Sequence, residues 1–116
     1  MMETSLRELQ ARIWKHQQEH FDLKKRDLNY FLSRCVYECG ELGNLIMKIM
    51  YYCHDGADVK QKLKKEFGDV LVFLCLAASH WGVDLEQALE ETLAINNKRL
   101  QEGYYGKLQR KSDPSE

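Results

Sequence analysis

Apolar residues recur at spacings of three and four along most of the 116-residue chain, the period of an amphipathic helix rather than of a strand. Leu6, Leu9, Ile13 and Trp14 predict a first helix over about Leu6 to His20. Ser5 with Glu8 three residues later is the capping pair expected to open it. Leu28, Phe31, Leu32, Cys35, Cys39, Leu42, Ile46 and Ile49 mark a longer second helix, about Leu28 to Cys53, with Asp27 as its cap and His54 to Ala57 as the turn that follows. Asp58 is expected to cap a third helix that runs to about His80 and stops at Gly82. After a basic start it is apolar on every side from Val70 to Ala78, the pattern of a helix at the centre of a bundle or in a subunit interface. Asp84 with Gln87 predicts a fourth helix, Leu85 to Glu102, stopped by Gly103, with Leu85, Ala88, Leu89 and Thr92 on its inner face.

No segment alternates with period two, and the single proline, Pro114, lies near the C-terminal end. The fold class is therefore all-α. Short connections make helices two, three and four antiparallel neighbours, so the architecture expected is an antiparallel bundle of four main helices. Residues 1–103 form one helical domain in this reading, and 104–116 a polar, flexible tail. A third helix apolar all round asks for more cover than three neighbours in a small monomer give, so a homo-oligomer is expected.

Composition narrows the function classes. With 44% hydrophobic and 30% charged residues the chain has the material for a core and is not intrinsically disordered. Its 17 basic and 18 acidic residues leave a formal net charge of −1, which gives no electrostatic reason to expect nucleic acid or a membrane surface as partner. A small anionic ligand is still compatible with it. The longest apolar run, Val70 to Ala78, falls far short of the ~20 residues of a membrane span, and the polar start does not read as a signal peptide. A cytoplasmic protein is expected. Cys35, Cys39, Cys53 and Cys75 lack disulfide-framework spacing and read as buried thiols in a reducing compartment.

The chemistry resides in acids. Glu38 and Glu41 stand three apart on helix two, Glu66 and Asp69 three apart on helix three, so each pair projects from about one face of its helix. Glu66 aligns with Val70, Phe73 and Ala77, and Glu38 flanks the stripe through Cys35, Cys39 and Leu42, so the acids face inward. Few cations share the stretch, and inward carboxylates then call for a hard divalent cation with oxygen ligands, Mg²⁺ first. Counted from the turn at Gly56, the two pairs differ in depth by about 5 residues, or ~7 Å, within reach of one site. A lone Glu-x-x-Glu is usually a solvated face; two inward pairs together are not the usual case.

On helix four, Asn96 and Arg99 continue the stripe of Leu85, Leu89 and Thr92, level with Glu66 and Asp69, while Lys98 points more outward. Metal-holding acids faced by an amide and a guanidinium suit a polyphosphate, whose oxygens the cation bridges and Arg binds in bidentate fashion. Gly40, Gly43 and Gly68 are expected to let the helices approach closely there.

At these residues the sequence resembles the MazG-like, all-α nucleoside triphosphate pyrophosphohydrolase superfamily, through YECGEL, EFGDVLVFL and INNKR in that order, over roughly Leu28 to Leu100 and including GVDLEQAL. It is most similar to the short single-domain branch that includes dCTP pyrophosphatases. The fuller motif has a further Glu where this chain has Tyr37; the short branch also dispenses with it. The resemblance implies hydrolysis between the α and β phosphates of a nucleoside triphosphate, giving a monophosphate and pyrophosphate. It implies that Glu38, Glu41, Glu66 and Asp69 bind Mg²⁺, for which Mn²⁺ can substitute, and supply the base. It assigns Asn96, Arg99 and Lys98 to substrate, and it implies homodimers or tetramers, with deoxynucleotides such as dCTP as substrates in nucleotide-pool cleansing.

Other residues carry weaker expectations. Trp14, Phe21, Tyr30 and Tyr51 could stack on a base but more often belong to a core; Trp14 is the best of them. Lys48, two turns from Glu41, could reach a phosphate, although a lone flank lysine is usually solvated. Cys35, Cys39, Cys53 and His54 lack zinc spacing, and no Glu-x-x-His exists for a di-iron bundle. Lys60, Lys62, Lys64 and Lys65 read as a solvated face that mildly attracts triphosphates. The rival readings are a non-catalytic helical interaction module whose acids pair with lysines across helices, and a related enzyme acting on another diphosphate linkage.

Overall fold

The computed structural model describes residues 3–23, 29–52 and 57–103. Four helices follow in order: α1 (Leu6–His20), α2 (Tyr30–Tyr52), α3 (Ala57–His80) and α4 (Leu85–Gln101). No strand occurs among the described residues, so the protein is all-α. The chain divides into two compact units, Met1–Leu85 and Glu86–Glu116, the first carrying α1 to α3 and the second nearly all of α4.

Local chemistry sets the helix ends. The Ser5 hydroxyl accepts from the Glu8 backbone N–H at 3.1 Å, so the expected cap of α1 forms with the expected bounds. α2 opens at Asn29, whose carbonyl accepts from Ser33 N at 2.8 Å; the expected cap Asp27 and the predicted ends Leu28 and Cys53 lie outside the described residues. Asp58 does not cap α3 as expected. The helix begins at Ala57, which places Asp58 in the first turn, where its carboxylate favours the positive end of the helix and pairs with Lys62 at 3.2 Å. At the other end Gly82 takes φ +70°, while Val83 N donates to Ala78 O at 2.8 Å and Gly82 N to Ser79 O at 3.0 Å. That double bond pattern closes α3 and turns the chain towards α4.

Within the first unit α3 is the middle element, packed against both α1 and α2. Phe31, Leu76 and Ala77 form the buried centre, with Ile13, Trp14, Leu23, Tyr30 and Phe73 around them. Phe31 is 2% exposed and meets Trp14 edge-on, with ring centroids 6.1 Å apart. The contacts between α2 and α3 descend along α3 as they ascend along α2. Phe31 lies against His80, Arg34 against Phe73, Cys35 against the Val70 carbonyl, and Leu45 shares a cavity with Lys62. The two helices are therefore antiparallel, as their short connection predicted.

A polar clasp holds α1 to the end of α3. The Gln10 amide, buried, donates to Ser79 Oγ at 3.1 Å and to the Val83 carbonyl at 2.8 Å, and accepts from Leu85 N at 2.9 Å. Arg7 pairs with Asp84 beside it. Side chains thus satisfy the backbone groups that the turn after α3 leaves open.

Three packing expectations are corrected. Leu32 and Cys39, expected on the inner stripe of α2, are exposed; the buried side runs through Phe31, Cys35 and Glu38, so the register is turned towards the acid. A Cβ added at Gly40, Gly43 or Gly68 would meet nothing within 4 Å, so these glycines do not bring α2 and α3 together. α4 buries none of its residues, and Leu89 and Thr92, expected on an inner face, are exposed. Among the described residues no single helix is long and apolar enough to cross a membrane.

Candidate metal and phosphate site

Because α2 and α3 run antiparallel, Glu38 on the first meets Glu66 and Asp69 on the second. One carboxylate oxygen of each lies within 4.8 Å of the others. Glu38 is buried, and Glu66 and Asp69 are half-buried. The donors are all hard oxygens from two rigid helices, converging on one point, and this set fits a hard divalent cation rather than zinc or copper.

Two cations stand beside the cluster, each paired with one of its acids. Arg34 Nη2 donates to Glu38 Oε1 at 2.9 Å from one turn earlier on α2. Its guanidinium lies 4.8 Å from the centroid of the Tyr37 ring and 5.2 Å from that of Phe73, so two aromatic faces hold it in place. Lys65 Nζ donates to Asp69 Oδ2 at 2.8 Å, and this bond, then the Asp69 charge, pushes the ammonium pKa above its ordinary value. Both pairs lie within a single helix. Among the described residues, no lysine pairs with the cluster's acids across helices, as the interaction-module reading required.

Glu41 is exposed and stands outside the three-carboxylate group. It joins Glu66 in lining a cavity of about 290 Å³ between α2 and α3, together with Asn44, Leu45, Lys48 and Lys62. Glu66 thus belongs to both the cluster and the cavity. Lys48, read as able to reach a phosphate, and Lys62, read as part of a solvated basic face, are both brought to this cavity, whereas Asn44 carried no expectation. A signal existed for Lys62: it precedes Glu66 by four residues, on the same helical face.

Trp14 does not line that cavity. It packs on Phe31 and borders a separate cavity of about 280 Å³ formed with Arg7, Gln10 and the turn after α3. Asn96, Lys98 and Arg99 are exposed on α4, in the second unit. Of the cysteines, Cys35 and Cys75 are buried as expected, and burial pushes both thiols up, Cys35 further raised by Cys39 beside it. Cys39 is exposed, contrary to the expected core position, and Cys53 and His54 lie outside the described residues.

Two helices that present converging carboxylates next to a cavity lined by lysines and an amide can hold a cation and the phosphates it bridges. The comparisons agree with that chemistry. No curated protein and no solved structure gives a significant match. The sequence profile of the MazG nucleotide pyrophosphohydrolase domain matches residues 27–102, which include all four acids and the cavity. That span is well over half of the chain, and this protein belongs to the MazG nucleotide pyrophosphohydrolase family.

Proposed function

We propose that this protein is an Mg²⁺-dependent nucleoside triphosphate pyrophosphohydrolase that cleaves between the α and β phosphates. It favours deoxynucleotides such as dCTP and serves nucleotide-pool cleansing in the cytoplasm, as a homodimer or tetramer. The observation that carries the reading is the convergence of Glu38, Glu66 and Asp69 within 4.8 Å in a chain of this family. Mn²⁺ shares the preference for oxygen ligands and substitutes for Mg²⁺.

Glu38, Glu66 and Asp69 hold the cation, with Glu41 at the rim of the same site. When bound, the cation neutralises phosphate charge and makes water easier to deprotonate. One of the carboxylates takes the proton of the water that attacks the α phosphorus in line. The bond to the bridging oxygen breaks, and a nucleoside monophosphate and pyrophosphate leave. Asn96, Arg99 and Lys98 contact substrate in this reading, and Trp14 is offered to the base.

The test is a panel of deoxynucleoside and ribonucleoside triphosphates, incubated with and without Mg²⁺ and resolved by chromatography. Monophosphate and pyrophosphate in equal amounts are expected, dependent on the cation. Glu66→Gln and Asp69→Asn should each lower turnover by at least about a hundredfold, the scale of losing a positioned base or a metal ligand. No turnover of any triphosphate with any divalent cation would overturn the reading.

A further inference from the structure

The cavity between α2 and α3 contains charges that the carboxylate cluster does not use. Lys48 and Lys62 line it from opposite helices, with Glu41 and Glu66 in the same walls. Among the described residues, neither lysine forms an ion pair with either glutamate. Opposite charges that share a space of about 290 Å³ without touching leave room for a ligand that meets both, through a cation on one side and anionic oxygens on the other. Lys62 does reach Asp58 at 3.2 Å, but the two side chains are 62% and 79% exposed, so water screens the pair and an anion can displace it.

We infer that Lys48 and Lys62, with Asn44, seat the two terminal phosphates of the substrate and hold the departing pyrophosphate. The inference rests on the pyrophosphohydrolase reading above. Direction along the helices supports it. From the acids, both lysines lie towards the connection at 53–56: Lys48 is ~10 Å along α2 beyond Glu41, and Lys62 is ~6 Å along α3 before Glu66. A triphosphate with its α phosphorus at the carboxylates runs its β and γ phosphates towards the two ammonium groups. As water's oxygen bonds to the α phosphorus and its proton passes to a carboxylate, the electron pair of the breaking bond stays on the bridging oxygen of pyrophosphate. Ammonium groups at the cavity wall meet charge where it develops, which aids the departure as well as the binding.

Inorganic pyrophosphate is the probe. With Mg²⁺ present, Lys48→Met and Lys62→Met should each weaken its inhibition of triphosphate turnover about tenfold, the worth of one charge-assisted hydrogen bond. Inhibition by the nucleoside monophosphate product should stay unchanged, and Lys62→Arg should retain most of the pyrophosphate inhibition. Both lysines are exposed, so the variants keep the wild-type melting curve. Turnover with pyrophosphate inhibition intact in both Met variants would overturn this inference and leave the proposed function standing. Equal loss of pyrophosphate and monophosphate inhibition would also overturn it, whereas a wild-type protein inert on every triphosphate would remove the reading beneath it.

Discussion

Glu38 has a guanidinium on one side and two carboxylates on the other. Arg34 holds it at 2.9 Å, while Glu66 and Asp69 approach it from α3 as a cation's other ligands would require. Three carboxylates this close repel one another, and the guanidinium offsets part of that cost where water is largely excluded from Glu38. Arg34→Ala should therefore destabilise the metal-free protein by about 1–2 kcal/mol, less than a fully buried pair would, because the Arg34 side chain is itself 39% exposed. If Mg²⁺ is the cation that the folded state holds and takes over the neutralisation, as proposed, it should raise the melting temperature of the variant more than that of the wild type. Equal shifts in a thermal melt with EDTA and with Mg²⁺ would show that Arg34 and the cation do not compete for Glu38. This residue illustrates what was legible in the sequence. The helical wheel places four acids inward; Glu38, Glu66 and Asp69 do converge, whereas Glu41 is exposed and stands outside their group. The wheel carries no information about side-chain reach, so it missed that Arg34, four residues before Glu38, is pinned by Tyr37 and Phe73 with its charge on the site.

At the scale of elements, α1 joins α3 through the apolar contacts of Ile13 and Trp14 and, at the end of α3, through a few polar atoms. The Gln10 amide reaches Ser79, the Val83 carbonyl and the Leu85 N–H at once. Gln10→Ala should cost about 2–3 kcal/mol, since it removes the side-chain partner of the Val83 carbonyl and the Leu85 N–H in the turn after α3. Gly82→Ala should cost about 1–2 kcal/mol for the left-handed backbone at φ +70°, although the space around it is open. Urea unfolding of the two variants checks both, and a Gln10→Ala midpoint equal to the wild type would mean that water replaces the amide fully. Helix bounds were legible because capping residues and periodicity are local: α1 matches its predicted span to the residue, and α4 to within one. What periodicity could not supply was which of two neighbouring apolar lines is buried. On α2 Leu32 and Cys39 lie one position from Phe31 and Glu38, about 100° around the helix, and only the position of α3 decides between them. The glycines misled for the same reason, since a small residue permits a close approach but does not say from which side.

For the whole molecule, those glycines gain a different meaning. Val36, Gly40, Gly43, Met47 and Met50 follow one another at spacings of four and three, an uninterrupted stripe along the outward side of α2. Val36 is 65%, Met47 56% and Met50 68% exposed, and a side chain at either glycine would meet open space. On α3 Phe67 and Leu71 are exposed as well. A single chain that leaves this much apolar surface in water forfeits the burial that stabilises a small protein; in the proposed oligomer a second copy packed along α2 would recover it, and the open space at the glycines would admit its backbone closely. Sedimentation should then give a dimer or tetramer at micromolar concentration. Val36→Glu combined with Met47→Glu should shift the protein to monomer, because each buried carboxylate without a partner costs more than the methyl contacts it replaces. The acids of the site lie on the opposite, inward side of the helix, so the monomeric variant should still bind Mg²⁺ in its folded fraction. A wild-type chain that sediments as a monomer over the whole concentration range would show that the stripe is not an interface between copies.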